Sequence, residues 1–259
     1  MKQEQIIPVI VGPTGSGKTG VSIEIAKELK ERFGLETEII SADSRTIYKE
    51  MELGTAKPTL EERAGIIHHG FDLVFPGERF TVLDWKKYAE QKIDTILSKG
   101  KIPIVVGGTG LYIDALVFDY RFGDKKVVRD ETGEYPDRKE MCSRFKIFGI
   151  EVRPEELRKR LRIRADKMFT QELCDETERL VRKYGWDNQA MKSDVYQFAW
   201  KYIQGEISRE EAIRLNEIDD WHLAKRQMTW FRRNKNIVWL PLEKVKAAVI
   251  KCIQDEQRK

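Results

Sequence analysis

The chain has 259 residues, 47 Lys and Arg against 43 Asp and Glu, and a formal net charge of only +4. At roughly 100–200 residues per domain this is one large domain or one with an appendage, and 41% apolar residues are enough to exclude wholesale disorder. No apolar run approaches the roughly 20 residues of a membrane helix, and the run before Pro13 and Gly15 is too short for a signal peptide.

Residues 6–11 form an apolar, β-branched run that predicts a buried parallel strand. A Gly-rich turn follows. Residues 20–32 then carry Ile25, Ala26, Leu29 and Phe33 at helical spacing, with Gly34 as the stop. A short strand is expected at 38–42. A helix is expected at 81–99, opened by a capping box of Thr81 and Asp84 and closed by Gly100. Residues 102–106 give a third buried strand. Strands alternating with helices predict a parallel sheet covered on both faces. Residues 119–140 are polar and turn-rich, an excursion from the core. Residues 145–152 resume as strand, 154–184 read as helix, and the rest is helical apart from a strand at 237–240. These spans divide the chain into an α/β core (1–117), a reduced insertion (118–144) and a return strand with a basic helical part (145–259).

The stretch Gly12-Pro13-Thr14-Gly15-Ser16-Gly17-Lys18-Thr19 matches G-x-x-x-x-G-K-[ST] and lies between a strand and a helix, as a phosphate-binding loop requires. Its glycines let backbone N–H groups converge on phosphate oxygens at a helix N-terminus. Lys18 reaches the terminal phosphates, and Thr19 can ligate Mg²⁺. The fold class is therefore α/β, a P-loop NTPase-like parallel sheet flanked by helices. The loop alone specifies a diphosphate or a triphosphate and nothing finer. Asp43 ends the second strand, and Gly107-Gly108-Thr109 ends the third. In an open parallel sheet these ends converge with the loop. Asp43 at such a place is a metal ligand, a general base or a helix cap. The strand before Gly107 does not close on an acid, which argues against a motor or switch ATPase and leaves room for a group transfer.

Several motifs together resemble the tRNA dimethylallyltransferases. They are GPTGSGKT at 12–19, Asp43-Ser44 with Tyr48, Gly54-Thr55-Ala56-Lys57-Pro58, and His68-His69. Gly107-Gly108-Thr109 with Tyr112, and Leu223-Ala224-Lys225-Arg226-Gln227 followed by Trp230-Phe231-Arg232, complete the set. The resemblance implies that dimethylallyl diphosphate lies on Gly12, Thr14, Gly15, Ser16, Gly17, Lys18, Thr19 and Arg226. It implies Asp43 as the base for the adenine's exocyclic amine and Thr109 as a catalytic partner, with Mg²⁺ on Thr19. Ser44, Thr46, Tyr48, Lys57, Gly108, Tyr112, Lys225, Gln227 and Arg232 would face the adenine or the RNA. The acceptor implied is the anticodon stem-loop of tRNA, whose adenine must leave its stack.

The chain departs from the family pattern at named places. Thr46 stands for Gln. Asp220-Trp221-His222 stands for Thr-Arg-Gln, which removes an arginine expected at the diphosphate. Asp194-Val195-Tyr196-Gln197-Phe198 replaces a Gly-Tyr-Arg/Lys-Glu run. The helical insertion that clasps the anticodon stem is largely gone, and the family's stretch with a His-Pro-Asn-Asp signature has no counterpart between Phe118 and Phe145. Residues 153–167 hold seven cations and 225–235 hold five. On one face they would form a phosphate-binding stripe. Helical spacing puts Trp221 on one stripe with Ala224, Met228 and Phe231, which favours a core position over a base-stacking platform, and Trp186, Trp200, Trp230 and Trp239 are assigned to the core by the same default. His68 and His69, adjacent in an extended segment, cannot chelate one metal together and are read as structural or pocket-lining. Three widely spaced cysteines suit a reducing cytoplasm, and a monomer without membrane attachment is the expected form. Three alternatives stay open: prenylation of free adenine nucleotides, a small-molecule kinase, and a non-catalytic RNA- or nucleotide-binding relic.

Overall fold

The structure, a computed structural model, describes residues 5–120 and 140–257. Six parallel strands form one sheet in the order β3-β2-β4-β1-β5-β6. The central strand β1 (Ile7–Val11) is buried throughout and pairs with β4 (Ile102–Gly107) on one side and β5 (Phe145–Glu151) on the other. Continuous apolar runs are what strands covered on both faces require, and these three were legible as such. β2 (Thr37–Ala42) pairs with β4, and β6 (Ile237–Pro241) with β5. The edge strand β3 is only His68–His69, in register with Ile39 and Ile40.

The helix α1 (Lys18–Phe33) begins at the phosphate loop and ends on Gly34 in the left-handed region. α2 (Val82–Ser98) carries the expected capping box, with Thr81 and Asp84 satisfying each other's backbone N–H. Its Trp85 is fully buried, donates to the Ser41 carbonyl at 3.0 Å, and stacks on Tyr112 of α3 (Gly110–Val117) with centroids 4.7 Å apart. The single helix expected over 154–184 is two: α4 (Pro154–Met168) and α5 (Gln171–Tyr184). The break is tertiary in origin. Phe169 leaves helical geometry to enter the core, and Arg209 caps the freed carbonyls of Asp166 and Phe169 at 2.8 Å each. α6 (Asp194–Ile203), α7 (Arg209–Phe231) and α8 (Leu242–Gln257) follow.

The direction in which successive strands are added to the sheet reverses at β1 and β4. The path from β1 leads to β2 beyond β4, and the path from β4 returns over β1 to β5. The crevice at the carboxyl ends of β1 and β4 is therefore the topological switch point, where open α/β sheets bind ligands. α4 and α7 cover one side of it, packed through Leu157, Leu161 and Ala224. Most of the insertion expected at 118–144 lies outside the described residues. Among the described residues no helix is long and apolar enough to cross a membrane.

Candidate active site

A cavity of about 630 Å³ opens at the switch point, walled by the phosphate loop, the loop after β2, the end of β4, and α4, α6 and α7. The loop wraps the start of α1. Gly15 has φ +73, a left-handed conformation that glycine adopts without strain, and the Leu161 side chain of α4 packs directly on it. Lys18 donates to the carbonyls of Gly12 (2.9 Å) and Pro13 (2.7 Å), leaving one of its three N–H donors for a phosphate oxygen. Burial among these groups lowers its pKa to about 8; Asp43 opposes that shift and Arg164 adds to it. Thr19 is exposed on the cavity wall one residue further along.

Asp43 stands at the end of β2, across the cavity from Lys18. Its Oδ1 accepts from the backbone N–H of Arg45 at 2.7 Å and of Thr46 at 3.4 Å. Oδ2 has no protein donor among the described residues. The Thr109 hydroxyl accepts from Ser44 N–H at 3.0 Å and donates to Ser44 Oγ at 3.3 Å, which ties the loop after β2 to the end of β4. Gly107 makes this approach possible, since a Cβ there would meet the Ala42 carbonyl oxygen at 2.1 Å. Gln227 bridges the two sides: it accepts from Thr14 N–H at 2.7 Å and donates to the Gly108 carbonyl at 3.1 Å. Thr14 and Gln227 are 213 residues apart in the chain, so this clasp is a product of the fold.

An arginine of α4 stands beside the phosphate loop. The Arg164 guanidinium of α4 donates to Thr14 Oγ1 at 2.5 Å, lines the cavity, and keeps its Nε buried without a partner among the described residues. Arg160, one turn earlier, donates to the Ser16 carbonyl at 3.4 Å. The sequence reading placed these residues in a basic stripe but could not tell which cations point inward. Arg226 also lines the cavity, from α7. Three carboxyls offset these charges. Burial and a hydrogen bond to Asp194 push the Asp219 carboxyl up to about 6, against the pull of Arg226. Burial also raises Asp220, with Arg164 pulling it back.

Of the expected site residues, Thr14, Gly15, Gly17, Lys18, Thr19, Asp43, Ser44, Thr46, Thr109, Arg226 and Gln227 share this cavity. Gly12 and Ser16 shape the loop beneath it. Six others do not line it; Gly108 gives its carbonyl to Gln227. The Lys57 ammonium is buried in an ion pair with Asp72 at 2.6 Å and bonds Glu52 and the Tyr48 carbonyl, so it braces the segment after β2. Tyr112 is held in the core by Trp85, and Tyr48 is buried beside it. Lys225 and Arg232 are exposed outside the cavity, Lys225 over the Trp221 ring. Trp221 is half-buried under Arg158, and Arg162 pairs with Glu217, so the cations of α4 do not form a single stripe. His69 Nε2–H donates to the Glu38 carboxylate at 2.6 Å and His68 Nδ1–H to the Ile66 carbonyl, both as structural contacts.

A phosphate loop, a carboxylate facing it and a strand β4 that ends on glycine define a P-loop enzyme of the group-transfer kind. The comparisons with known proteins place it more narrowly. The model of the IPP transferase family matches residues 46–142 and 129–234. The tRNA dimethylallyltransferases of Acetivibrio thermocellus and Alkaliphilus oremlandii are each 36% identical, with 90% of this chain and 90% of the relative covered. The first alignment runs over 293 positions, more than the 259 residues available here, so that relative carries residues this chain lacks. The tRNA isopentenylpyrophosphate transferase of Bacillus halodurans superposes with a TM-score of 0.82 at 27% identity over 99% of both chains. That of Staphylococcus epidermidis gives 0.79 at 30% identity over 98% of this chain and 99% of its own. The chain belongs to the tRNA dimethylallyltransferase (IPP transferase) family.

Proposed function

We propose that this protein transfers a dimethylallyl group from dimethylallyl diphosphate to the exocyclic amine of an adenine beside the anticodon of tRNA. The observation that carries the reading is the meeting of a diphosphate cradle and Asp43 in one cavity, in a chain of this family. The adenine amine attacks the allylic carbon, the carbon–oxygen bond to the diphosphate breaks, and the diphosphate departs with the electron pair. The proton leaving the amine passes to Asp43 Oδ2, the oxygen with no protein donor. Two backbone N–H bonds to Oδ1 fix the carboxylate for this role. Lys18, Arg164 and Arg226 meet the charge that grows on the departing diphosphate. The donor set fits Mg²⁺: one exposed hydroxyl, Thr19, next to where phosphate oxygens dock suits an ion that keeps several waters. When bound there, Mg²⁺ would neutralise diphosphate charge.

The test is to incubate the protein with dimethylallyl diphosphate, Mg²⁺ and either an anticodon stem-loop or AMP, and to weigh the products. An adduct on the stem-loop is expected. An adduct on AMP alone would move the acceptor to free nucleotides, and none on either, with diphosphate binding demonstrated, would refute prenyl transfer.

A further inference from the structure

The start of α6 separates two hollows. Ser193, Asp194 and Val195 line the catalytic cavity. Lys192, one residue (about 3.8 Å) before Ser193, and Gln197 line a second cleft of about 370 Å³ with Trp186 and Trp200. The two indoles meet edge to face, with centroids 6.0 Å apart and planes at 67°. Both are half-buried, and neither N–H has a protein acceptor among the described residues. Trp186 leans on the apolar cluster under α5 and α6, whereas Trp200 packs into none of the buried clusters. Core packing therefore does not account for Trp200.

The rim is cationic. Lys192 and Lys201 are exposed, and neither has an ion-pair partner among the described residues; Glu206 is the one acid lining the cleft. Two aromatic walls at a steep angle with unpaired ammonium groups beside them combine the two elements of single-strand recognition, base stacking and backbone charge. The cleft adjoins the catalytic cavity across the start of α6, where Lys192 and Ser193 are consecutive, so the strand whose adenine enters that cavity is the one within reach.

We infer that the Trp186–Trp200 cleft is a stacking subsite for a nucleobase of the RNA acceptor that neighbours the modified adenine, with Lys192 and Lys201 on its flanking phosphates. This rests on tRNA being the acceptor. It gives the protein a grip on the anticodon loop from the core itself. The sequence reading assigned both tryptophans to the core by default, because the chain's local pattern cannot distinguish a core face from one that borders a cleft.

The experiment titrates an anticodon stem-loop, with 2-aminopurine replacing the base on either side of the target adenine, into wild type, Trp200→Ala and Trp200→Phe. Stacking contributes about 1–3 kcal/mol per base, so Trp200→Ala should raise the stem-loop Kd roughly 5- to 150-fold. Trp200→Phe should recover most of that loss, and quenching of 2-aminopurine at one flanking position should disappear with the indole. The Kd for inorganic diphosphate should not change in either variant, which also reports an intact fold. Lys192→Ala and Lys201→Ala should each flatten the salt dependence of stem-loop binding by about one phosphate contact. A stem-loop Kd within twofold of wild type for Trp200→Ala overturns the subsite while leaving the acceptor assignment intact. A wild type that binds diphosphate but no stem-loop overturns both.

Discussion

Replacing Arg164 by alanine tests how the diphosphate is held. Its guanidinium sits 2.5 Å from Thr14 Oγ1 on the cavity wall, and it is one cause of the lowered Lys18 pKa. Hydrogen bonds to charged groups contribute about 1.5–3 kcal/mol. Losing one from a docked diphosphate therefore predicts a Kd about 10- to 150-fold weaker. Two secondary effects have definite signs. Without Arg164 the Lys18 ammonium is easier to hold, so its pKa climbs from about 8. Asp220 loses the cation that opposes its burial, so its pKa rises further. Part of the lost attraction is thus returned through Lys18, which favours the lower half of the range. Arg164→Lys keeps the charge but not the planar fork, and should fall between. Calorimetric titration of inorganic diphosphate into each variant, repeated at pH 7 and pH 9, reads both the affinity and the Lys18 shift. A change below threefold for Arg164→Ala, with an unaltered melting curve, would show that α4 does not contribute to the cradle.

The other expectations follow from the same geometry. Asp43→Asn should lower turnover by about 10²- to 10⁴-fold, the range for a positioned base, with the diphosphate Kd unchanged; unaltered turnover would remove Asp43 from proton transfer. Affinity for diphosphate should be full below pH 8 and fall as pH rises through about 8, because the folded protein disfavours the charged form of Lys18. Proton uptake on binding, seen as a buffer-dependent heat at pH 9, checks the sign, and its absence would contradict it. Gly107→Ala places a Cβ against the Ala42 carbonyl, where Thr109 N–H also bonds at 3.1 Å. It should destabilise the protein by about 1–3 kcal/mol, the usual range for overpacking, read from thermal unfolding. An unchanged melting temperature would mean that β2 and β4 can part at this point.

The sequence by itself determined the sheet and the cradle. Apolar runs mark β1, β2, β4 and β5, the Thr81–Asp84 box marks the start of α2, and the G-x-x-x-x-G-K-T motif marks the loop that walls the cavity. Each is written in contiguous residues, where local sterics, hydrogen bonding and burial period act over a few positions. Asp43 and Thr109 were also legible, because a parallel sheet brings its strand ends to one edge whatever else the chain does. Tertiary structure alone decided which charges serve the site. Lys57 carries the charge of a substrate-binding residue, yet it is closed into an ion pair with Asp72. Arg164 reads like any other cation on a basic helix, yet it reaches Thr14 because Leu161 seats α4 on Gly15. The break at Phe169, the Gln227 clasp and the Trp186–Trp200 cleft have the same origin. Each depends on which face of a helix meets a neighbour distant in sequence, and spacing along one segment cannot specify that.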